Sequence, residues 1–436
     1  LRGITLSNAI NSHGARHGLA LFRDRLDWLP WPASGVVLLP EPYLLGLRLS
    51  LIAMAAAQAA ALVWAWRRPP VKLWPWLVGP ALATIALLFY PPINTDIFSY
   101  ASFGWVASLG HNPYLIPPKD LAGDPYAAMN DWTRITTPYG PLWTGLSRIA
   151  VLLGRNDPFA VAMILKAMAG AAAIGLSIAT YGIALRLTAN RRAAISAFIL
   201  VGWSPVLLYE SAGAAHNDAV MMMLAATGLF VAMSDRPGAI RTGLLLIAAA
   251  ALIKPIALPL LVLAALLRLG RPNQSLPELV GRWMLDLAAV VALAAIAYAP
   301  YWAGGQLPDA IWTQQQDLYL SRPLRVNPLW VWAFPSIARF IGGPIAKDWA
   351  VDTASFWSRL GIVLLFLTAP HIAVAAPATE ALGLMPLNAH AWYAIWSLAP
   401  LALLWATTKS HRARILLALC FVWIMVSFFV YHTWVA

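Results

Sequence analysis

Apolar runs alternate with short polar linkers along almost the whole chain. Runs of spanning character fall near 43–66, 74–91, 158–187, 192–210, 217–234, 241–253, 255–269, 281–301, 356–369, 371–388, 390–407 and 414–433. The pattern predicts an all-α polytopic membrane protein. Two pairs are short. The runs on either side of Lys254-Pro255 fall below the roughly 20 residues needed to cross a bilayer, and Pro255 breaks the helix between them. Broken helices of this kind line cavities rather than face lipid. The hairpin 356–388 is also short and carries Glu380. The stretch 141–154 reads as a re-entrant or surface helix, because counting it as a span would break the parity of the loops.

Composition strengthens this reading. Sixty per cent of the 436 residues are hydrophobic, only 11% are charged, and mean hydropathy is +0.68. Soluble domains carry about 25% charged residues, so a soluble enzyme, a DNA-binding module and a disordered scaffold are all excluded. The formal charge of +12 has a topological cause. Five linkers are basic: Arg67-Arg68 with Lys72, Arg191-Arg192, Arg236 with Arg241, Arg268 with Arg271, and Lys409 through Arg414. Placed in the cytoplasm, they leave 92–157, 211–216, 302–355 and the approach to His390 outside. The partners are then membrane lipids and membrane-borne substrates, with no nucleic acid. The expected organisation is an N-terminal extracytoplasmic or interfacial segment, 1–42, followed by a transmembrane domain, 43–436. The chain opens on Leu1 rather than Met, which leaves room for a helix upstream. The single cysteine, Cys420, lies in an apolar run and permits no intrachain disulfide.

The long external loops, 92–157 and 302–355, carry the candidate chemistry, since loops of that length are usually functional. They are rich in Pro, Trp, Tyr, Asn and Gly. Asp96, in Asn94-Thr95-Asp96-Ile97-Phe98-Ser99-Tyr100, sits just past a membrane exit. A partly desolvated carboxylate there suits a general base, and it equally suits a helix cap. Gly110-His111-Asn112-Pro113-Tyr114 and Thr137-Pro138-Tyr139-Gly140-Pro141-Leu142-Trp143 supply rings for a sugar or lipid chain, or turn chemistry alone. Rings and amides from this loop, Tyr100, His111, Asn112, Tyr114 and Tyr139, are candidate substrate contacts.

Further along, His216-Asn217-Asp218 opens an apolar run. Asn217 and Asp218 are candidate substrate contacts or simple caps, and His216 is suited to bind a phosphate or orient a carboxylate. No second His stands at a local ligand spacing, which argues against a metal site. Lys254, between two apolar half-helices, is a functional candidate because an ionisable group there is costly. A snorkelling lysine is the alternative. Arg322 and Arg325, outside the membrane, run against the positive-inside trend and suit a phosphate, or pair with Asp309 or Asp317. His390, Tyr393 and Trp396 share one helical face. His390 joins the phosphate candidates, and Trp392 and Tyr393 the substrate candidates.

The ordered series Thr95-Asp96-Ile97-Phe98-Ser99-Tyr100, Gly110-His111-Asn112-Pro113-Tyr114, Pro138-Tyr139-Gly140-Pro141-Leu142, His216-Asn217-Asp218, Lys254-Pro255 and His390-Ala391-Trp392-Tyr393 resembles the GT-C superfamily of integral-membrane glycosyltransferases. Within it, the chain looks most like the bacterial polyprenyl-phosphomannose-dependent α-1,6-mannosyltransferases. The resemblance covers about residues 74–407. It implies a bundle of about 11–13 transmembrane helices in the bacterial plasma membrane, with an extracytoplasmic active site. It implies Asp96 as catalytic base, a polyprenyl-phosphate-mannose donor, inversion at the anomeric carbon and a glycolipid or lipid-anchored glycan acceptor. One departure stands out: relatives often carry Pro between the His and Trp of the last motif, where this chain has Ala391.

The chemistry points the same way. Displacement at a sugar C1 needs a base for the acceptor hydroxyl and positive charge for the departing phosphate. Lys254, Arg322, Arg325, His216 and His390 are the donor-phosphate candidates. A monophosphate leaving group has less charge to neutralise than a diphosphate, so no metal or other cofactor is expected and the lipid-linked sugar is a co-substrate. Two alternatives stay open: the same fold using glucose, galactose, arabinose or aminoarabinose, and a lipid-linked sugar flippase.

Overall fold

The computed structural model describes residues 13–26, 41–67, 72–91, 95–270, 275–315, 395–408 and most of 414–428. Every regular element named within these residues is helical. Among the described residues, three helices are long and apolar enough to cross a membrane: Leu49–Arg67, Pro158–Thr188 and Leu276–Tyr301. A fourth span forms if Arg191–Gly202 and Pro205–Gly213, bent by 48°, are taken together. The bend sits where Pro205 opens a new helix, since proline cannot continue the hydrogen-bond ladder. Shorter apolar helices include Trp74–Leu88, Asp218–Ala232, Ala239–Ala251 and Ile395–Thr407. Large apolar side chains such as Leu285, Leu287, Val291 and Ile296 face outward, as lipid-facing surface does. The chain is an all-α membrane protein. Arg322, Arg325, His390, Trp392 and Tyr393, together with the hairpin at 356–388, lie outside the described residues.

The frame of the site is a set of packed helices. We label α1 His13–Arg25, α2 Asp96–Ser108, α3 Pro141–Leu153, α4 Pro158–Thr188, α5 Arg191–Gly202, α6 Asp218–Ala232, α7 Ala239–Ala251, α8 Leu276–Tyr298 and α9 Ile395–Thr407. Helix α4 runs along α5 and α6, α6 along α7, α2 along α3, and α9 against α5. The α6–α7 crossing is close because two glycines meet. A Cβ on Gly228 would stand 2.6 Å from the Gly243 carbonyl oxygen, and one on Gly243 2.5 Å from that of Gly228. Small residues let apolar helices approach in this way.

One expectation changes, and two segments gain detail. The run predicted at 192–210 is not one straight helix but the bent pair. The stretch 141–154 forms a 13-residue helix, too short to span. The N-terminal segment contains α1, whose Phe22 is fully buried and packs edge-on against Phe159 at 5.1 Å.

Candidate active site

Helix α2 begins with Asp96 itself, and Thr95 is the residue before it. The carboxylate makes no cap. Its Oδ1 accepts the Trp132 indole N–H at 3.2 Å, and its side chain keeps 17% exposure. A polar ladder holds Trp132 in place. The Trp132 backbone N–H donates to Asn130 Oδ1 at 2.8 Å, and Ser99 Oγ donates to the same atom at 2.9 Å. Asn130 Nδ2 donates to Ser102 Oγ at 2.9 Å, which donates to Asp124 Oδ2 at 2.8 Å. Ser99 and Ser102 lie three apart on α2, so one face of that helix fastens the loop that covers it.

The second wall arrives through an irregular turn. After Leu208 the backbone makes a π-helical turn, Tyr209–Gly213, and Ala215 then adopts φ +61°. A left-handed conformation is costly for a residue with a Cβ, and π turns and such strain gather at functional sites. The turn delivers four fully buried side chains: Glu210, His216, Asn217 and Asp218. His216 Nδ1 lies 3.9 Å from Asp96 Oδ2, and Nε2 lies 3.2 Å from Glu210 Oε2. The Tyr100 hydroxyl is 3.4 Å from His216 Nδ1.

The third wall is the break at Lys254. Lys254 Nζ donates to both Asp218 oxygens, at 2.8 and 2.7 Å, and Trp396 Nε1 donates to Asp218 Oδ1 at 2.6 Å. Lys254 does not snorkel: its side chain is only 12% exposed. The Pro138–Pro141 segment seats this break. The Gly140 N–H bonds the Ile253 carbonyl at 3.0 Å, and the Leu142 N–H bonds the Leu252 carbonyl at 3.0 Å. A Cβ on Gly140 would stand 2.2 Å from the Leu252 oxygen, so only glycine permits the docking. It brings the Tyr139 ring 5.9 Å from Lys254 Nζ and 5.0 Å from Tyr100.

Burial raises the Asp96 carboxyl above the usual aspartate range. His216, Lys254 and the Trp132 bond oppose that rise, and Asp218 adds to it. The result is a basic carboxylate at the edge of a charged, mostly buried cluster.

Seven candidates therefore converge: Asp96, Tyr100, Tyr139, His216, Asn217, Asp218 and Lys254. Asn217 is fully buried with neither side-chain polar atom bonded among the described residues, so its capping alternative falls away. Asp218 is held by Lys254 rather than used as a cap. Three others take different places. Asn112 bonds the Tyr301 carbonyl at 2.7 Å and the Tyr114 backbone at 3.0 Å. The Tyr114 hydroxyl donates to the Tyr139 carbonyl at 2.9 Å. Both brace the loop rather than reach Asp96. His111 is exposed at the end of α2. Glu210 was missed by the sequence reading. A lone carboxylate closing an apolar run was the available signal. Among the described residues no group of three or more His, Cys, Asp or Glu side chains is arranged to hold a metal ion.

A family model described as alpha-(1->6)-mannopyranosyltransferase, N-terminal domain, matches residues 27–270, the span that holds all seven converging residues. The alpha-(1->6)-mannopyranosyltransferase A of Corynebacterium glutamicum is 30% identical over 288 residues, covering 62% of this chain and 55% of that protein. The protein of the same name from Mycobacterium tuberculosis is 28% identical over 294 residues, covering 64% and 51%. A probable alpha-(1->6)-mannopyranosyltransferase of Mycolicibacterium smegmatis is 31% identical over 155 residues, covering 34% and 27%. The chain spans about half the length of the first two relatives. No solved structure matches it.

Proposed function

The chain belongs to the alpha-(1->6)-mannopyranosyltransferase family, and from that premise we propose that it is an inverting mannosyltransferase of the bacterial plasma membrane. It moves mannose from polyprenyl-phosphate-mannose to a glycolipid or lipid-anchored glycan on the extracytoplasmic face. The observation that carries this is the setting of Asp96: a partly exposed carboxylate made more basic by burial, beside His216 and the Lys254–Asp218 pair.

In the proposed reaction the acceptor hydroxyl oxygen bonds to the sugar C1 from the face opposite the phosphate. The C1–oxygen bond to phosphate breaks, and its electron pair leaves with the polyprenyl phosphate. The acceptor proton passes to Asp96. Positive charge from Arg322, Arg325 and His390, with Lys254 at longer range, stabilises the departing phosphate in place of a metal, while His216, in contact with Asp96 and Glu210, stays on the base side. Tyr139, Trp392 and Tyr393 offer ring faces to the sugar or the lipid chain. Tyr100 backs Tyr139 from inside the core, and Asn217 brings an amide whose two polar atoms are uncommitted among the described residues.

The test uses the purified chain in lipid, with radiolabelled polyprenyl-phosphomannose and a mannosylated glycolipid, comparing the wild type with Asp96→Asn. Transfer by the wild type, lost in a variant that still folds and binds donor, is the expected result. Full activity in the variant moves the base elsewhere. Turnover only with another polyprenyl-phosphate sugar replaces mannose. Donor movement between leaflets without transfer overturns the transferase reading in favour of a flippase.

A further inference from the structure

We propose that Glu210 is a positioning residue for the Asp96 base, acting through His216; this rests on the reading of Asp96 as base. Glu210 touches none of the reacting atoms. It is fully buried, and a carboxylate removed from water is costly unless it is paired. The π turn and the left-handed Ala215 fold the chain back so that the His216 backbone N–H donates to the Glu210 carbonyl at 2.9 Å. That backbone bond sets the two side chains face to face, with Nε2 3.2 Å from Oε2. The other ring nitrogen, Nδ1, faces Asp96 Oδ2 at 3.9 Å and the Tyr100 hydroxyl at 3.4 Å. The Lys254–Asp218 pair also acts on Asp96 through its charges.

An ionised carboxylate only accepts hydrogen bonds. An ionised Glu210 3.2 Å from Nε2 favours a proton on that nitrogen, through an ion-pair contact rather than an aligned hydrogen bond. The nitrogen left to gain or release a proton is Nδ1, the one that faces Asp96. A carboxylate behind an imidazole fixes its tautomer and orientation and balances charge on the ring. The arrangement is a chain of Glu210, His216 and Asp96 in which only the last member meets the acceptor. Strain at Ala215 has a use in this account, because a relaxed turn would not bring residue 216 back onto residue 210.

Two readouts test it on the full chain in lipid. In transfer assays Glu210→Gln, which keeps size and removes charge, lowers kcat about 100-fold while KM for the donor stays within about twofold; Glu210→Asp, which restores the charge, recovers most of the loss. In parallel, nitrogen NMR on histidine-labelled protein, with the His216 signal assigned from His216→Asn, reports which ring nitrogen carries the proton. The expected result is an Nε2–H ring in the wild type that loses this preference in Glu210→Gln. Unchanged kcat with an unchanged ring pattern overturns the proposal. So does equal loss in the Gln and Asp variants with donor binding lost as well, which marks Glu210 as purely structural. If the wild type transfers no sugar, the base reading fails, and the NMR result alone decides whether Glu210 governs the His216 ring.

Discussion

Helices α6 and α7 form one packed pair joined by a short turn, and a buried aspartate marks each end of it. At the turn end, Asp286 of α8 receives Arg241 Nε at 3.0 Å and Arg268 Nε at 2.6 Å. At the other end, Asp218 receives the ammonium of Lys254 and the indole of Trp396. The first carboxylate has two guanidinium partners. The second shares its neighbourhood with Asp96 and Glu210, so three carboxylates face one lysine and one histidine. Arg forks bind carboxylates in fixed geometry and stay charged, which suits a cluster that only holds helices together. A lysine, a histidine and a surplus of carboxylates make a site where protons can move. On the proposed reading, the two ends teach how one helix pair separates a structural ion cluster from a reactive one.

The largest expected break of this contrast is Asp96→Asn. Loss of a general base costs roughly 10²–10⁴-fold in rate. Stability moves the other way. Burial raises the Asp96 carboxyl, so the native state favours its protonated form and the charge costs stability above that raised value. A neutral amide removes the cost, and the melting temperature holds or rises. A variant that both unfolds and loses activity would contradict this assignment.

Lys254→Met comes next. It leaves Asp218, fully buried, with an indole bond but no cation partner among the described residues. Breaking a buried pair from one side costs about 3–5 kcal/mol, read as a drop in melting temperature. Asp218→Asn in the same background returns part of that cost, because the stranded charge is gone. Asp286→Asn at the turn end costs about 3 kcal/mol, the low end of that range: Arg268, 9% exposed, is stranded, while Arg241, 44% exposed, can turn to solvent. Its rate per folded molecule stays at the wild-type value. A rate loss there equal to that of Lys254→Met would erase the distinction between the two ends.

Much of this was legible in the chain. Apolar runs gave the helices because lipid removes the option of unpaired backbone, and the cost of an ionisable group between apolar half-helices singled out Lys254. Pro-Tyr-Gly-Pro was readable as a turn. That its glycine docks on Leu252 was not, because a close approach between segments more than a hundred residues apart leaves no local pattern. Glu210 and Lys166 escaped for a related reason. Each is one ionisable residue within or at the end of an apolar run, and its partner lies elsewhere: His216 for Glu210, and for Lys166 the Tyr90 carbonyl and the Phe22 ring. The π turn that aims Glu210 carries no signature in residue type. Asp96 was readable as base or cap; the helix start at Asp96 itself and the Trp132 indole on its carboxylate set the cap aside.

The smallest effect is the one that best isolates Asp96 from its surroundings. Trp132→Phe keeps a ring in place and removes the N–H that donates to Asp96 Oδ1. That bond stabilises the charged carboxylate and lowers a carboxyl already raised by burial. Removing it raises the carboxyl further. The base works only when deprotonated, so activity falls as pH drops through this value, and the acidic limb of kcat/KM moves to higher pH. A net hydrogen bond of about 0.5–1.5 kcal/mol corresponds to a shift of roughly half a unit to one unit. Well above that limb the rate returns close to wild type. Asp124 provides the control, since burial raises its carboxyl too while its bond to Ser102 places it at the far end of the ladder. Asp124→Asn should leave the limb where it was. A limb that stays fixed in Trp132→Phe, or that follows Asp124 instead, would take the base role away from Asp96 even if Asp96→Asn were inactive.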